Sequence, residues 1–358
     1  MTSSFVLLQV LPSLGQGGVE HATFDMAEAL CEVFPDCPTY VGSSGGDLLG
    51  KPHGFIHLTL PLHSKNPFRI LLNAYRLRMF IQQYSITLVH GRSRSPSWSA
   101  WLACRLTGVP FITTYHGAYK AKSSLKKLYN SVMARGEKVI AISNYMKKHI
   151  EKHYPFAKTE LVYEGINTDF YQSTTKASGK TIFLPCRLSP IKGVHIAIGA
   201  FQKVVEKHTD ARLMLIRIGK KNYIEEIDKL IERLNLKAHV EFIEPTSDLR
   251  PYYERSAIIL VASVVPEALG RVSLEALAME RLLIATDLGA NPEICIEGMT
   301  GFLVSPANVG QLASALVHCL TLDDEMKNRI ARNGRAHVEE RFSSKSMFEK
   351  MIDLYKSL

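Results

Sequence analysis

The stretch PEALGRVSLEAL, residues 266–277, sets two carboxylates eight positions apart around a glycine. Glu267 stands on a loop that follows the apolar run SAIILVAS. Glu275 falls in the second turn of the helix RVSLEALAMER. An ionised carboxylate only accepts hydrogen bonds, so Glu275 suits a vicinal diol such as the 2′- and 3′-hydroxyls of a ribose. Glu267 would then face another hydroxyl-bearing part of the same ligand. Gly270 lets the backbone approach closely, and the turn Leu269-Gly270-Arg271 offers N–H groups to phosphate or sugar oxygens. The plainer reading is an exposed loop acid followed by a surface helix residue.

A second stretch, RLSPIKG at 187–193, carries the opposite charge. Arg187 ends a strand, and Lys192 opens a helix running through HIAIGAFQKVVEKH. A guanidinium gives a planar fork of donors to phosphate oxygens, and an ammonium adds a compact point charge. A helix N-terminus beside them contributes about half a positive charge and unpaired N–H groups. Together they suit a diphosphate that must be held and then stabilised as it leaves.

Loops that hold such groups need a scaffold. Short apolar runs alternate with amphipathic segments along the whole chain: FVLLQVL, ITLVHGR, VPFITTYHG and KVIAIS in the first half, then TIFLPCRL, ARLMLIRIG, HVEFIEP, SAIILVAS, LLIATD and GFLV. That rhythm predicts an α/β fold with two doubly wound parallel sheets. A length of 358 residues fits two domains. The polar stretch DFYQSTTKASGKT, 169–181, reads as the connector. We therefore place an N-terminal domain at 1–172, a C-terminal domain carrying both motif stretches at 173–340, and a terminal helix at 341–358 packing back toward the first domain. Ligands of open parallel sheets sit beyond the carboxyl ends of the strands, so the expected site is a cleft between the domains.

Composition narrows the function further. Apolar residues make up 46% of the chain, and no window approaches a membrane span. The N-terminal apolar run reads as a first strand rather than a signal peptide. The six cysteines hold no C-x-x-C spacing and the histidines no H-E-x-x-H, so neither a zinc site nor a redox motif is indicated. Scattered cysteines fit a reducing cytosol. The net charge is +9, and between Asp47 and Glu137 there are 13 Lys/Arg and no acid. That one-signed field attracts an anionic surface or substrate. No nucleic-acid module accompanies it. GQGGVE at 15–20 is not G-x-G-x-x-G, which weakens a dinucleotide oxidoreductase reading.

The ordered set of motifs resembles the retaining glycosyltransferase family 4. The basic pair Arg187-x4-Lys192 and the acids Glu267-x7-Glu275, inside P-E-x-x-G-R-x-x-x-E-A, carry most of the likeness. GQGGVEHAT (15–23), TTYHG (113–117), AISNYMKKHI (141–150), EGINTDFY (164–171) and GMTGFLVSP (298–306) extend it over nearly the whole chain. The resemblance implies a GT-B fold and transfer of a sugar from a nucleotide sugar with anomeric retention, with no cofactor and no metal. Absence of D-x-D argues against the metal-chelating GT-A fold. Residue by residue, Arg187 and Lys192 match the diphosphate pair, Glu275 the ribose acid and Glu267 the acid near the donor sugar. Gly17 and Gly18 match a glycine loop near donor phosphate and acceptor, and His116 matches a histidine near the sugar. Leu269 stands where Phe is common in such families, and IGKKN (218–222) where G-x-G is common.

HGRSRSPSWSAWLACRLTGVPF and YNSVMARGEKVIAIS look most like bacterial lipopolysaccharide-core and related envelope enzymes. The expected reaction moves a hexose, mannose among the candidates, to an envelope oligosaccharide or glycolipid acceptor. Arg92, Arg94, Lys120, Lys122, Lys126 and Lys127 are the expected contacts to the acceptor and to the anionic inner face of the cytoplasmic membrane. A GT-B enzyme on a soluble acceptor, and a non-catalytic nucleotide-sugar binder, remain the alternatives.

Overall fold

The structure, a computed structural model, describes residues 5–15, 17–119, 123–176 and 179–358. The chain divides into two compact units, Met1–Tyr163 with Met347–Leu358, and Glu164–Ser346. Among the described residues, the first unit holds β1 (Leu7–Val10), β2 (Thr39–Ser43), β3 (Ile56–Thr59), β4 (Leu88–Gly91), β5 (Phe111–Tyr115), β6 (Lys138–Ala141) and β7 (Thr159–Leu161). They form one sheet in the order β3-β2-β1-β4-β5-β6-β7, and each pairing is parallel. β1 reads LLQV with every residue buried, as expected of a strand covered on both faces. Helices α1 (Gly18–Val33), α2 (Pro67–Gln83), α3 (Arg94–Thr107), α4 (Ser124–Ser131) and α5 (Asn144–His153) connect them. Gly108 takes φ +76° and ends α3, a left-handed cap that a side chain would strain.

The second unit repeats the plan with β8 (Thr181–Leu184), β9 (Arg212–Ile216), β10 (Val240–Ile243), β11 (Ile258–Val261), β12 (Leu282–Thr286) and β13 (Phe302–Val304). The order is β10-β9-β8-β11-β12-β13, again parallel throughout. Its helices are α6 (Val194–Val205), α7 (Lys221–Arg233), α8 (Arg250–Glu254), α9 (Arg271–Ala278), α10 (Asn291–Ile294), α11 (Val309–Thr321) and α12 (Asp324–Arg341). Ile182, Leu184, Leu213, Ile258 and Ile284 from the strands meet Ala197, Phe201 and Leu316 from the helices in one core.

The polar stretch 169–181 is not a loose connector over its described residues. It belongs to the second unit, where buried Arg281 donates to Ser173 and Thr175, and Thr174 donates to Glu254. A last helix, α13 (Ser344–Lys356), follows α12. Its Met351 and Tyr355 are buried with Leu7, Leu88 and Ile112 of the first unit.

Candidate functional site

In both sheets the strand order reverses at the centre, between β1 and β4 and between β8 and β11. Loops leaving adjacent strands there part in opposite directions and open a crevice. The second unit places both motif stretches at this point. RLSPIKG leaves β8, and PEALGRVSLEAL leaves β11.

The first loop is pressed onto the end of β11. Gly193 takes φ +65°, and a Cβ there would lie 1.9 Å from the Ala262 carbonyl oxygen. Val264 N–H donates to the Ile191 carbonyl at 2.9 Å. This departs from the expected helix start: Pro190–Lys192 is a 3-10 turn, and α6 begins only at Val194. Lys192 is thereby delivered to the second loop, where its Nζ donates to Glu267 Oε1 at 2.7 Å. Ser263 Oγ donates to the same oxygen. Lys192 and Glu267 keep 27% and 22% of their side-chain surface, so the pair is accessible to a ligand.

A third loop, after β12, supports Glu267 from below. Gly289 takes φ +66° and Ala290 N–H donates to the Glu267 carbonyl at 3.1 Å. Asn291 Nδ2 donates to the Thr286 carbonyl, and Ser273 Oγ donates to Asn291 Oδ1. Gly270, at φ +114°, caps α9. A Cβ there would come within 2.7 Å of Asn291 Oδ1, so no other residue fits without displacing that side chain.

Glu275 is a buried acid rather than a surface helix residue, with 6% exposure. Its Oε1 accepts from Tyr171 OH and from Arg271 Nε, both at 2.9 Å, and its Oε2 accepts from Tyr253 OH at 2.8 Å. Burial and the Glu275 charge push Tyr171 up to about 12 and raise Tyr253 well above the usual phenol range. Both hydroxyls therefore stay protonated donors at neutral pH. Oε1 already has two partners, so a diol can grip both oxygens only if Tyr171 or Arg271 moves away.

Arg187 is exposed and lines a pocket of about 870 Å³ with Ser189, Ile191, Gly219, Lys220 and Tyr223. The divergent IGKKN stretch is thus a wall of the pocket that Arg187 faces. Cys186 feels the charges of Lys192, Glu267 and Arg187, and burial pushes its thiol up to about 12. It is a neutral thiol, not a ready nucleophile. Lys192 and Glu267 form one ion pair, Arg187 faces the neighbouring pocket, and Glu275 heads a cluster with Arg271, Tyr171 and Tyr253. Leu269, half-buried, sits on the intervening turn.

The remaining expected residues lie in the first unit. Gly17 and Gly18 are exposed at the start of α1. His116 is half-buried directly after β5. Lys126 and Lys127 are exposed on α4. Lys120 and Lys122 lie outside the described residues. Arg92 does not belong to a basic surface: it is 5% exposed, and its Nε and Nη2 donate to buried Gln9 Oε1 at 3.1 and 2.7 Å. Arg94 is half-buried, with its guanidinium 4.5 Å from the Tyr119 ring and donating to Asn130. Both corrections share a cause, since a count of charges says nothing about burial. Ser263, Tyr171, Tyr253 and Asn291, which hold Glu267, Glu275 and their loops, were not singled out from the sequence.

Two doubly wound parallel sheets, with a basic and an acidic loop meeting at one switch point, define the GT-B class of glycosyltransferase. The comparisons agree. The family described as "Glycosyl transferases group 1" matches residues 166–337, and "Glycosyltransferase Family 4" matches 16–170. A crystal structure of a glycosyltransferase from Rickettsia africae ESF-5 is 32% identical, covers 99% of this chain and 98% of its own, and superposes with a TM-score of 0.88. The Anabaena protein HepE, solved with UDP-glucose, shares the fold at 21% identity, 98% and 99% coverage and TM-score 0.81. WaaG, described as a glycosyltransferase involved in lipopolysaccharide biosynthesis, shares it at 16% identity, 98% and 99% coverage and TM-score 0.73. The chain belongs to glycosyltransferase family 4.

Proposed function

We propose that this glycosyltransferase moves a hexose, mannose among the candidates, from a nucleoside-diphosphate sugar to an envelope oligosaccharide or glycolipid such as the lipopolysaccharide core. The observation that carries the donor half is the Lys192–Glu267 pair, held at the switch point by three loops and still accessible. An arriving diphosphate takes Lys192 from Glu267 and adds Arg187. Glu267, released, accepts from hydroxyls of the sugar. Glu275 takes the ribose diol. Leu269, Gly270 and Arg271 shape the turn beside it, and Gly17, Gly18 and His116 are assigned to donor and sugar through the family resemblance.

The reaction retains configuration and needs no metal. The bond from the anomeric carbon to phosphate breaks as the acceptor oxygen bonds that carbon on the same face. A donor phosphate oxygen takes the acceptor proton. Neutral Cys186 forms no covalent intermediate. Charge gathers on the departing diphosphate, where Lys192 and Arg187 stabilise it, a contribution of several kcal/mol when preorganised. HepE with UDP-glucose supports a hexose donor, and WaaG's part in lipopolysaccharide biosynthesis supports an envelope acceptor. The basic first half of the chain is what favours the inner face of the cytoplasmic membrane as its place of work. Lys126 and Lys127 remain the acceptor-side cations.

Screening UDP-, GDP- and ADP-linked hexoses for binding and slow hydrolysis tests this reading. One donor should bind and release its diphosphate. Binding of none of them would leave only a fold.

A further inference from the structure

α2 carries two apolar stripes where an ordinary surface helix has one. Asn66 caps it by accepting from Phe68 N–H at 2.9 Å, and Pro67 fixes its first turn. Its inner face buries Ala74, Leu77 and Ile81, and α3 grips it where Ser99 Oγ donates to the Ile70 carbonyl. The outer face is also apolar. Phe68 is 82% exposed, Leu71 58%, Leu72 49%, Tyr75 58% and Met79 48%. Their spacing puts all five on one side of the helix. Lys65, Arg69 and Arg76 are exposed on or just before the same helix.

A neighbouring helix repeats the composition. On α4, Leu125 and Leu128 are 81% and 53% exposed, with exposed Lys126 and Lys127 between them. Both helices are fastened to the first two turns of α3. Ser95 Oγ donates to the Ser64 carbonyl just ahead of α2, and Trp98 Nε1 donates to the Tyr129 carbonyl on α4 at 2.9 Å.

We propose that α2 and α4 form a surface that docks on an anionic lipid bilayer, the apolar side chains entering the interface and the cations meeting headgroup phosphates. The charge selects this occupant. A second copy meeting this face about a two-fold axis would bring Arg69 and Arg76 against their own kind, and the segment from 48 to 136 holds no acid to offset them. A bilayer offers apolar depth and negative charge together. The helix lies on the membrane rather than across it, because no described helix is long and apolar enough to span one. The assignment rests on the reading above of a membrane-side acceptor, and it names the surface that would bring the enzyme there.

Flotation of the full chain with phosphatidylglycerol-rich vesicles, against pure phosphatidylcholine, tests it. Wild type should float with the anionic vesicles and release as salt rises. Phe68→Ser with Leu72→Ser, and separately Arg69→Glu with Arg76→Glu, should each lower partitioning at least ~10-fold. These exposed changes should leave the melting temperature and hydrolysis of the nucleotide sugar unaltered. Failure of wild type to float at low salt, or flotation of both variants like wild type, would overturn the proposal. So would a wild-type dimer that the Phe68 and Leu72 changes dissolve. Hydrolysis intact without flotation sinks the docking surface alone, and flotation without hydrolysis upholds it while sinking the transferase reading.

Discussion

At the first unit's switch point, β1 and β4 are stitched by a sealed polar network. Arg92 grips Gln9, and His90 pairs with Tyr355 OH and Thr114 Oγ1, both at 2.8 Å. All five side chains are buried. At the second unit's switch point, β8 and β11 present Lys192 and Glu267, each with about a quarter of its surface in water. The strand order is the same, and the finish is opposite. A buried network whose members satisfy one another stabilises and orients the framework, because each lost partner leaves a costly orphan. A half-exposed pair can trade its partner for a ligand at small cost. The first arrangement holds the sheet together, and the second is open to a ligand.

Mutations should divide along that line. The largest expected effect is on catalysis: Lys192→Ala should cut turnover at saturating donor by at least ~10²-fold while barely moving the melting temperature. Arg92→Leu should do the reverse. It leaves the Gln9 carbonyl oxygen buried and unpaired, costing about 1–3 kcal/mol of stability, with nucleotide affinity unchanged. Calorimetric melting beside nucleotide titration separates the two cases, and an Arg92 variant that lost affinity but not stability would break the contrast.

A subtler split lies within the Glu275 cluster. Tyr253→Phe removes a donor that holds the carboxylate, so nucleotide binding should weaken severalfold. Tyr171→Phe vacates an acceptor position that the ribose needs, so binding should tighten. Like signs for both would show that Tyr171 does not compete with the diol. The smallest effect is on pH dependence. Burial, helped by the charges of Arg92 and His116, lowers His90 well below its usual range. The folded state therefore binds fewer protons there than the unfolded chain does. Its stability contribution is complete above about pH 6.5 and is lost as pH falls below that value. Melting temperatures of wild type and His90→Gln should converge toward acid; a constant gap would sink the sign.

How much of this was legible in the sequence follows from physical range. The two loops were readable because Arg187, Lys192, Glu267 and Glu275 advertise themselves by charge and by local spacing. The βα rhythm was readable because buried parallel strands are apolar runs. β2 and β3 escaped, being short and broken by Gly42 and His57. The donors to Glu275 escaped for another reason: Tyr171 lies 104 residues from it, and Tyr253 lies 22. No local pattern encodes such a contact. Arg92 was misplaced because a cation in a basic stretch looks exposed until Gln9 is found beside it. The outer stripe of α2 stayed hidden because two apolar faces on one helix blur the period that reveals either.

Titration of UDP and of 2′,3′-dideoxyUDP into wild type and Glu275→Gln tests the donor site most directly. Glu275→Gln should weaken UDP about tenfold, or about 1.4 kcal/mol, and leave the dideoxy form unchanged. Equal losses on both nucleotides would contradict the assignment of Glu275 to the ribose, and with it the placing of the donor at this switch point.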